Sequence, residues 1–167
     1  MKVYGVTGWK NNGKTGLMER LVAEITARGF TVSTVKHAHH AVDVDQPGTD
    51  SFRHRQAGAS EVVLASGRRI ALMQELRGAA EPTLAEILAR MQPADLVLAE
   101  GYKREPHPKI EAHRQAAGTK LIARGDASIR AVASDAPGAL EPGAGQVVFH
   151  LDDTRAIADF ILHEVGL

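Results

Sequence analysis

Apolar positions recur along the chain in two alternating rhythms. Val3 to Thr7 is a short β-branched run that reads as a strand, after which Leu17, Met18, Leu21, Val22 and Ile25 recur at helical spacing. Arg28-Gly29 supplies a basic last turn and a glycine stop. Thr31 to Lys36 is a second strand, so the first 36 residues predict a β–loop–α–β unit with a parallel sheet and a right-handed crossover. Residues 37 to 50 are polar, rich in His and Asp, and contain Pro47-Gly48, which reads as a long loop of the kind that carries function. A short helix follows over Asp50 to Ala57. Glu61 to Ala65 and Arg69 to Met73 read as two strands meeting at Ser66-Gly67-Arg68, a hairpin. Thr83 to Met91 is an amphipathic helix with Thr83 as N-cap and Glu86 three residues on. Asp95 to Ala99 is an apolar strand suited to burial on both faces. Lys109 to Ala112, Ile129 to Ala133 and Val147 to Phe149 are weaker strands, Pro137 to Gly145 is a surface loop, and Thr154 to Val165 is a closing helix. The pattern predicts an α/β fold with a mostly parallel central sheet flanked by helices, plus a β-hairpin, in one domain of 167 residues.

Composition narrows the function classes. Apolar residues make up 44% and charged residues 24%, enough to bury a core. Twenty Lys and Arg balance twenty Asp and Glu, so no global basic field exists to hold nucleic acid or an anionic membrane. The chain has no Cys, which excludes disulfides, thiolate metal sites and a thiol nucleophile. Its apolar runs fall far short of the roughly 20 residues that span a bilayer. Met1 to Val6 enters a strand pattern at once, with no signal-peptide core. A cytoplasmic protein is expected.

The sharpest chemistry lies between the first strand and the first helix. Gly8-Trp9-Lys10-Asn11-Asn12-Gly13-Lys14-Thr15 matches G-x-x-x-x-G-K-[ST], the phosphate-binding loop of P-loop proteins, in the context its mechanics require. Gly8 and Gly13 permit backbone conformations and close approach that a Cβ would block. Successive N–H groups then make an anion nest with the helix N-terminus. On this reading Lys14 reaches the terminal phosphates and the Thr15 hydroxyl ligates Mg²⁺. Lys10 either touches a phosphate or is exposed. A magnesium site also needs a carboxylate. Asp95 opens its strand and Glu100 follows it at the carboxyl end, where ligands bind in open α/β sheets. A strand of that length spans roughly 17–20 Å, so Glu100 is the expected metal or water-positioning carboxylate and Asp95 lies at the wrong end.

Three stretches together resemble the MobB family of molybdopterin-guanine dinucleotide biosynthesis adapter proteins. They are Gly8 to Thr15; Val35-Lys36-His37-Ala38-His39-His40 running on to Asp45 through His54 and Ala57-Gly58-Ala59; and Leu96 through Lys103 with Pro108-Lys109-Ile110-Glu111. The likeness covers about residues 1 to 135. It implies a P-loop NTPase fold of the SIMIBI type, GTP and Mg²⁺ binding, homodimerisation, and partnership with a MobA-type guanylyltransferase that joins GMP to molybdopterin. It also implies that the segment after strand two is switch-like and faces the nucleotide. Asp43 or Asp45 would then approach Mg²⁺ through water, and Lys36, His37 and Arg53 would meet phosphate, the pterin's included. One departure stands out: the family commonly has a second Thr after the Lys-Thr pair, where this chain has Gly16. Two other readings of the segment stay open, a transition-metal site on His37, His39, His40 and His54, and a solvated connector.

Base selection has no motif of its own, since no Asn-Lys-x-Asp stretch is present. Asp135, after a strand at the usual edge for base contacts, could accept from guanine N1 and N2 or could cap a turn before Pro137. With Glu100 as the only candidate to orient water and no evident arginine finger, slow GTP hydrolysis at most is expected. Two rival functions carry the same loop: a small-molecule kinase with its acceptor over residues 37 to 55, and a regulatory module that uses nucleotide without catalysis.

Overall fold

The computed structural model describes residues 1–38, 43–141, 143 and 145–167. Its elements are β1 (Lys2–Thr7), α1 (Lys14–Ala27), β2 (Val32–Lys36), α2 (Asp50–Gln56), β3 (Glu61–Ala65), β4 (Ile70–Gln74), α3 (Leu84–Arg90), β5 (Leu96–Glu100), β6 (Lys109–His113), β7 (Ile129–Ser134), β8 (Val147–His150) and α4 (Thr154–Val165). The predicted α/β class is what the chain adopts. Its contacts gather into two compact units, one formed by residues 1–37 and 91–167, the other by residues 38–90.

The first unit is a six-stranded sheet in the order β2-β5-β1-β6-β7-β8, with every neighbouring pair parallel. Alternation along the strands sends Tyr4 and Val6, Leu96 and Leu98, Ile110 and Ala112, and Ala131 and Ala133 to one face. There they meet Leu17, Leu21 and Ile25 of α1 and Ile157, Ala158 and Ile161 of α4, all of them fully buried. Asp153 caps α4, accepting from the Ala156 N–H at 3.2 Å. The other face carries a smaller cluster, Ala123, Ile129 and Val132.

Two expectations need correcting. The strand over Lys109 to Ala112, expected to be one of the weaker ones, is central: as β6 it runs on to His113, pairs with β1 and β7 and buries all five residues. The sheet's free edges are β2 and β8. Asp95 stands just outside β5, which runs one residue further than expected to include Glu100. At the start of β5, Asp95 Oδ2 accepts from the Thr31 N–H and hydroxyl, both at 2.7 Å.

The second unit holds the β3–β4 hairpin with α2 and α3. Thr83 and Glu86 form the expected capping box: the Thr83 N–H donates to Glu86 Oε2 at 2.8 Å and the Glu86 N–H to Thr83 Oγ1 at 3.3 Å. Arg55 is its electrostatic hub, pairing with Asp43 at 2.8 Å, Asp45 at 3.2 Å and Glu75 at 2.6 Å.

Candidate nucleotide-binding site

Residues 8 to 13 turn the chain from β1 into α1 by conformations few side chains accept. Gly8 has φ +138°, and a Cβ there would sit 2.4 Å from the Ala112 carbonyl oxygen. Asn11 and Gly13 are left-handed, with φ 65° and 89°. Gly13 caps α1 with no side-chain hydrogen bond, and the first turn holds no acidic residue. The leading amides of α1 therefore have neither an intrahelical acceptor nor a side-chain cap.

The loop is held from the β6 side. Asn12 is buried; its Oδ1 accepts from the Arg114 N–H at 2.8 Å, and its Nδ2 donates to the Lys10 carbonyl and to Thr119 Oγ1, each at 3.2 Å. Trp9 Nε1 donates to the Lys120 carbonyl at 2.8 Å. Asn12 thus spends its side chain on fixing the loop. The Lys10 side chain is exposed.

Lys14 Nζ donates to the Trp9 carbonyl at 2.7 Å. Burial lowers the Lys14 pKa below its usual value; the Glu100 carboxylate opposes that shift, and Lys103 and Lys36 reinforce it. Glu100 ends β5 opposite Val6, two residues before Gly8. Its Oε2 lies 3.4 Å from Lys36 Nζ, which ends β2 in the paired register. Lys103 Nζ stands 4.1 Å over the Trp9 ring. Beside this group the His37 N–H donates to the Glu100 carbonyl at 3.0 Å, and the His37 and Tyr102 rings lie 5.2 Å apart. Gly101 makes that approach possible, since a Cβ there would meet His37 Cβ at 3.3 Å.

The expected residues Gly8, Asn11, Asn12, Gly13, Lys14, Lys36, His37 and Glu100 therefore gather at the carboxyl edge of β2, β5 and β1. Thr15 is exposed on the first turn of α1, and its hydroxyl makes no hydrogen bond among the described residues. The donor set fits an anionic ligand with a hard cation: a cradle of amides, an ammonium, a hydroxyl and a carboxylate. Asp135 is exposed after β7 and accepts from the Gln115 N–H at 2.9 Å.

Asp45 and Arg53 belong to the second unit. Asp45 Oδ1 accepts from the Gln46 N–H and the Thr49 and Ser51 hydroxyls at 2.9–3.1 Å, and its Oδ2 takes Arg55. Desolvation opposes ionisation there, but these donors outweigh it and lower the carboxyl's pKa. Arg53 is exposed on α2. His39 and His40 lie outside the described residues, and with them the middle of the switch-like segment. No group of three or more His, Asp or Glu able to hold a metal occurs among the described residues.

Sequence reasoning did not single out Thr119, Lys120 or Arg114. They follow β6, and only the strand order places them beside the phosphate loop. Next to them a cavity of about 560 Å³ is lined by His113, Gln115, Thr119, Leu121 and Leu140 among others.

Comparison with known proteins agrees with this architecture. The family model described as "Molybdopterin guanine dinucleotide synthesis protein B" matches residues 3–135. A Haemophilus influenzae molybdopterin-guanine dinucleotide biosynthesis adapter protein is 40% identical over 162 residues, covering 95% of this chain and 86% of the relative. The Escherichia coli protein of that name is 38% identical over 159 residues, 92% of this chain and 87% of the relative. The crystal structure of a MobB homologue from Bacillus stearothermophilus superimposes with a TM-score of 0.71 at 31% identity, over 99% of both chains. With a phosphate loop tied into a parallel sheet and likeness running through nearly its whole length, the chain belongs to the MobB family.

Proposed function

We propose that the protein is a GTP-binding adapter in the conversion of molybdopterin to molybdopterin guanine dinucleotide, acting in the cytoplasm beside a MobA-type guanylyltransferase. The observation that carries the nucleotide reading is the cradle from Gly8 to Thr15, whose amides lead into an uncapped helix and whose Lys14 lies within the field of Glu100. Lys14 and the loop amides hold the phosphates, and Thr15 and Glu100 hold Mg²⁺, which would neutralise phosphate charge. Lys36, paired with Glu100, would be free to meet phosphate if that carboxylate held Mg²⁺. Asp135 keeps one carboxylate oxygen free of Gln115, and we assign it to the guanine edge. Hydrolysis is slow at most, with Glu100 orienting water. The Haemophilus influenzae and Escherichia coli relatives are named for molybdopterin-guanine dinucleotide biosynthesis, which supports the pathway.

Trp9 is the chain's single tryptophan and stands in the loop, so its emission reports occupancy directly. Titration with GTP and Mg²⁺ is expected to change it saturably. Lys14→Ala should abolish the response while leaving the thermal midpoint nearly in place, because the half-buried side chain makes one hydrogen bond, to the Trp9 carbonyl, and its main work is a charge-assisted contact to phosphate worth about 1.5–3 kcal/mol. Equal GTP affinity in the variant and the parent would end the reading.

A further inference from the structure

The site described above gives Arg114 no role. Arg114 follows β6, and its N–H donates to Asn12 Oδ1 while the next N–H, of Gln115, donates to Asp135 Oδ1. Two consecutive amides thus suspend this segment between the phosphate loop and the carboxylate assigned to the base. The side chain turns back over the loop: Nε and Cζ lie 3.1 and 3.7 Å from the place a Cβ would take on Gly13. A Cβ there would press on it. The guanidinium makes no hydrogen bond or ion pair among the described residues, yet it is held against the N-terminal end of α1, whose dipole repels a cation. With no acid paired to it among the described residues, the arginine is available to a ligand at the loop.

Strand order says which part of the ligand. Glu100 and Lys36 gather on the β5 side of β1, and Arg114 lies on the β6 side. A nucleoside triphosphate whose terminal phosphate points to Glu100 carries its nucleoside toward Arg114 and Asp135. A guanidinium is planar and can lie flat on a purine face, whereas an ammonium meets a ring only as a point charge. We infer that Arg114 is a nucleotide-positioning residue whose guanidinium plane packs on the purine ring, so that it favours nucleoside triphosphates over bare polyphosphates. This rests on the reading of Gly8 to Thr15 as a nucleotide loop.

Trp9 emission, titrated with GTP and separately with inorganic tripolyphosphate in Mg²⁺, tests it. Arg114→Ala is expected to weaken GTP at least about tenfold and to leave tripolyphosphate unchanged within error. Arg114→Lys should recover little of the loss, since it restores charge without the plane. The side chain is exposed and the tie to Asn12 runs through the backbone, so both variants should keep the parent's unfolding midpoint. Equal losses for both ligands, or full rescue by lysine, would reduce Arg114 to a general phosphate cation and overturn the inference. Unchanged GTP affinity would overturn it outright. A parent chain that binds neither ligand is a different result: it removes the nucleotide reading, and this inference with it.

Discussion

Charged side chains at the two ends of β5 have opposite surroundings. Asp95 is exposed at the start, where Thr31 hydrogen bonds lower its pKa, and Glu100 is buried at the end between Lys36 and the phosphate loop. Glu100→Gln is therefore expected to remove the magnesium-dependent part of nucleotide affinity and to leave the magnesium-free part nearly intact, since shape and hydrogen-bonding capacity remain. Asp95→Asn should change neither. Calorimetry with and without Mg²⁺ measures both variants, and the reverse pattern would put the metal at the other edge. His107 presents a different problem. It packs over Gly5, neither ring nitrogen has a hydrogen-bond partner among the described residues, and burial, reinforced by the nearby Lys109, lowers its pKa to about 4, with Asp126 opposing. The imidazole is thus neutral in the folded chain and charges near pH 6.5 in the unfolded one. Its contribution to stability is complete above pH 6.5 and is lost as pH falls toward 4. Urea midpoints between pH 7 and pH 4 should fall less steeply in His107→Leu than in the parent, and parallel profiles would exclude His107 as the acid-sensitive group.

At the scale of elements, the loop between β1 and α1 is rigid because of what lies beside it. The Asn12 carboxamide joins the Lys10 carbonyl, the Arg114 amide and the Thr119 hydroxyl inside a buried pocket. Removing it leaves the Arg114 amide and the Thr119 hydroxyl short of a partner, a cost of about 1–3 kcal/mol. Asn12→Ala should lower the unfolding free energy by that amount and weaken nucleotide binding without touching a phosphate contact. Chemical denaturation and a GTP titration on the same preparation decide it. A variant as stable as the parent would mean that Asn12 does not hold the loop.

At the scale of the whole molecule, the second unit presents an exposed apolar face. On one face of the β3–β4 hairpin, Val63, Ile70 and Leu72 are 52%, 73% and 60% exposed, and Val63 pairs directly with Leu72. Unpaired edges and an apolar sheet face invite association, and we assign the face to a second copy of the chain. The protein is expected to sediment as a dimer at tens of micromolar. Leu72→Lys, which puts a charge on that face, should shift it to monomer while leaving far-ultraviolet circular dichroism unchanged. A monomeric parent would refute the assignment. No helix among the described residues is long and apolar enough to cross a membrane.

Whatever depends on neighbours in the chain was readable from the residues alone. The G-x-x-x-x-G-K-T spacing locates the loop because its work is done by consecutive amides, and the Thr83–Glu86 box appears as written because a capping box is closed within one turn. The period of Leu17, Leu21 and Ile25 gives the buried face of α1 for the same reason. What depends on strand order was not readable. Nothing local to Lys109–His113 says that it becomes the buried neighbour of β1, and its polar residues Lys109 and Glu111 weaken its strand pattern. Only the folded chain supplies the Ser128 hydroxyl for Lys109 and the Ile122 and Ala123 amides for Glu111. The position of Arg114 over Gly13 follows from that same pairing of β1 with β6. Local spacing dictates an anion cradle, whereas the residues that surround the cradle come from strands distant in sequence, and their adjacency exists only once the sheet has closed.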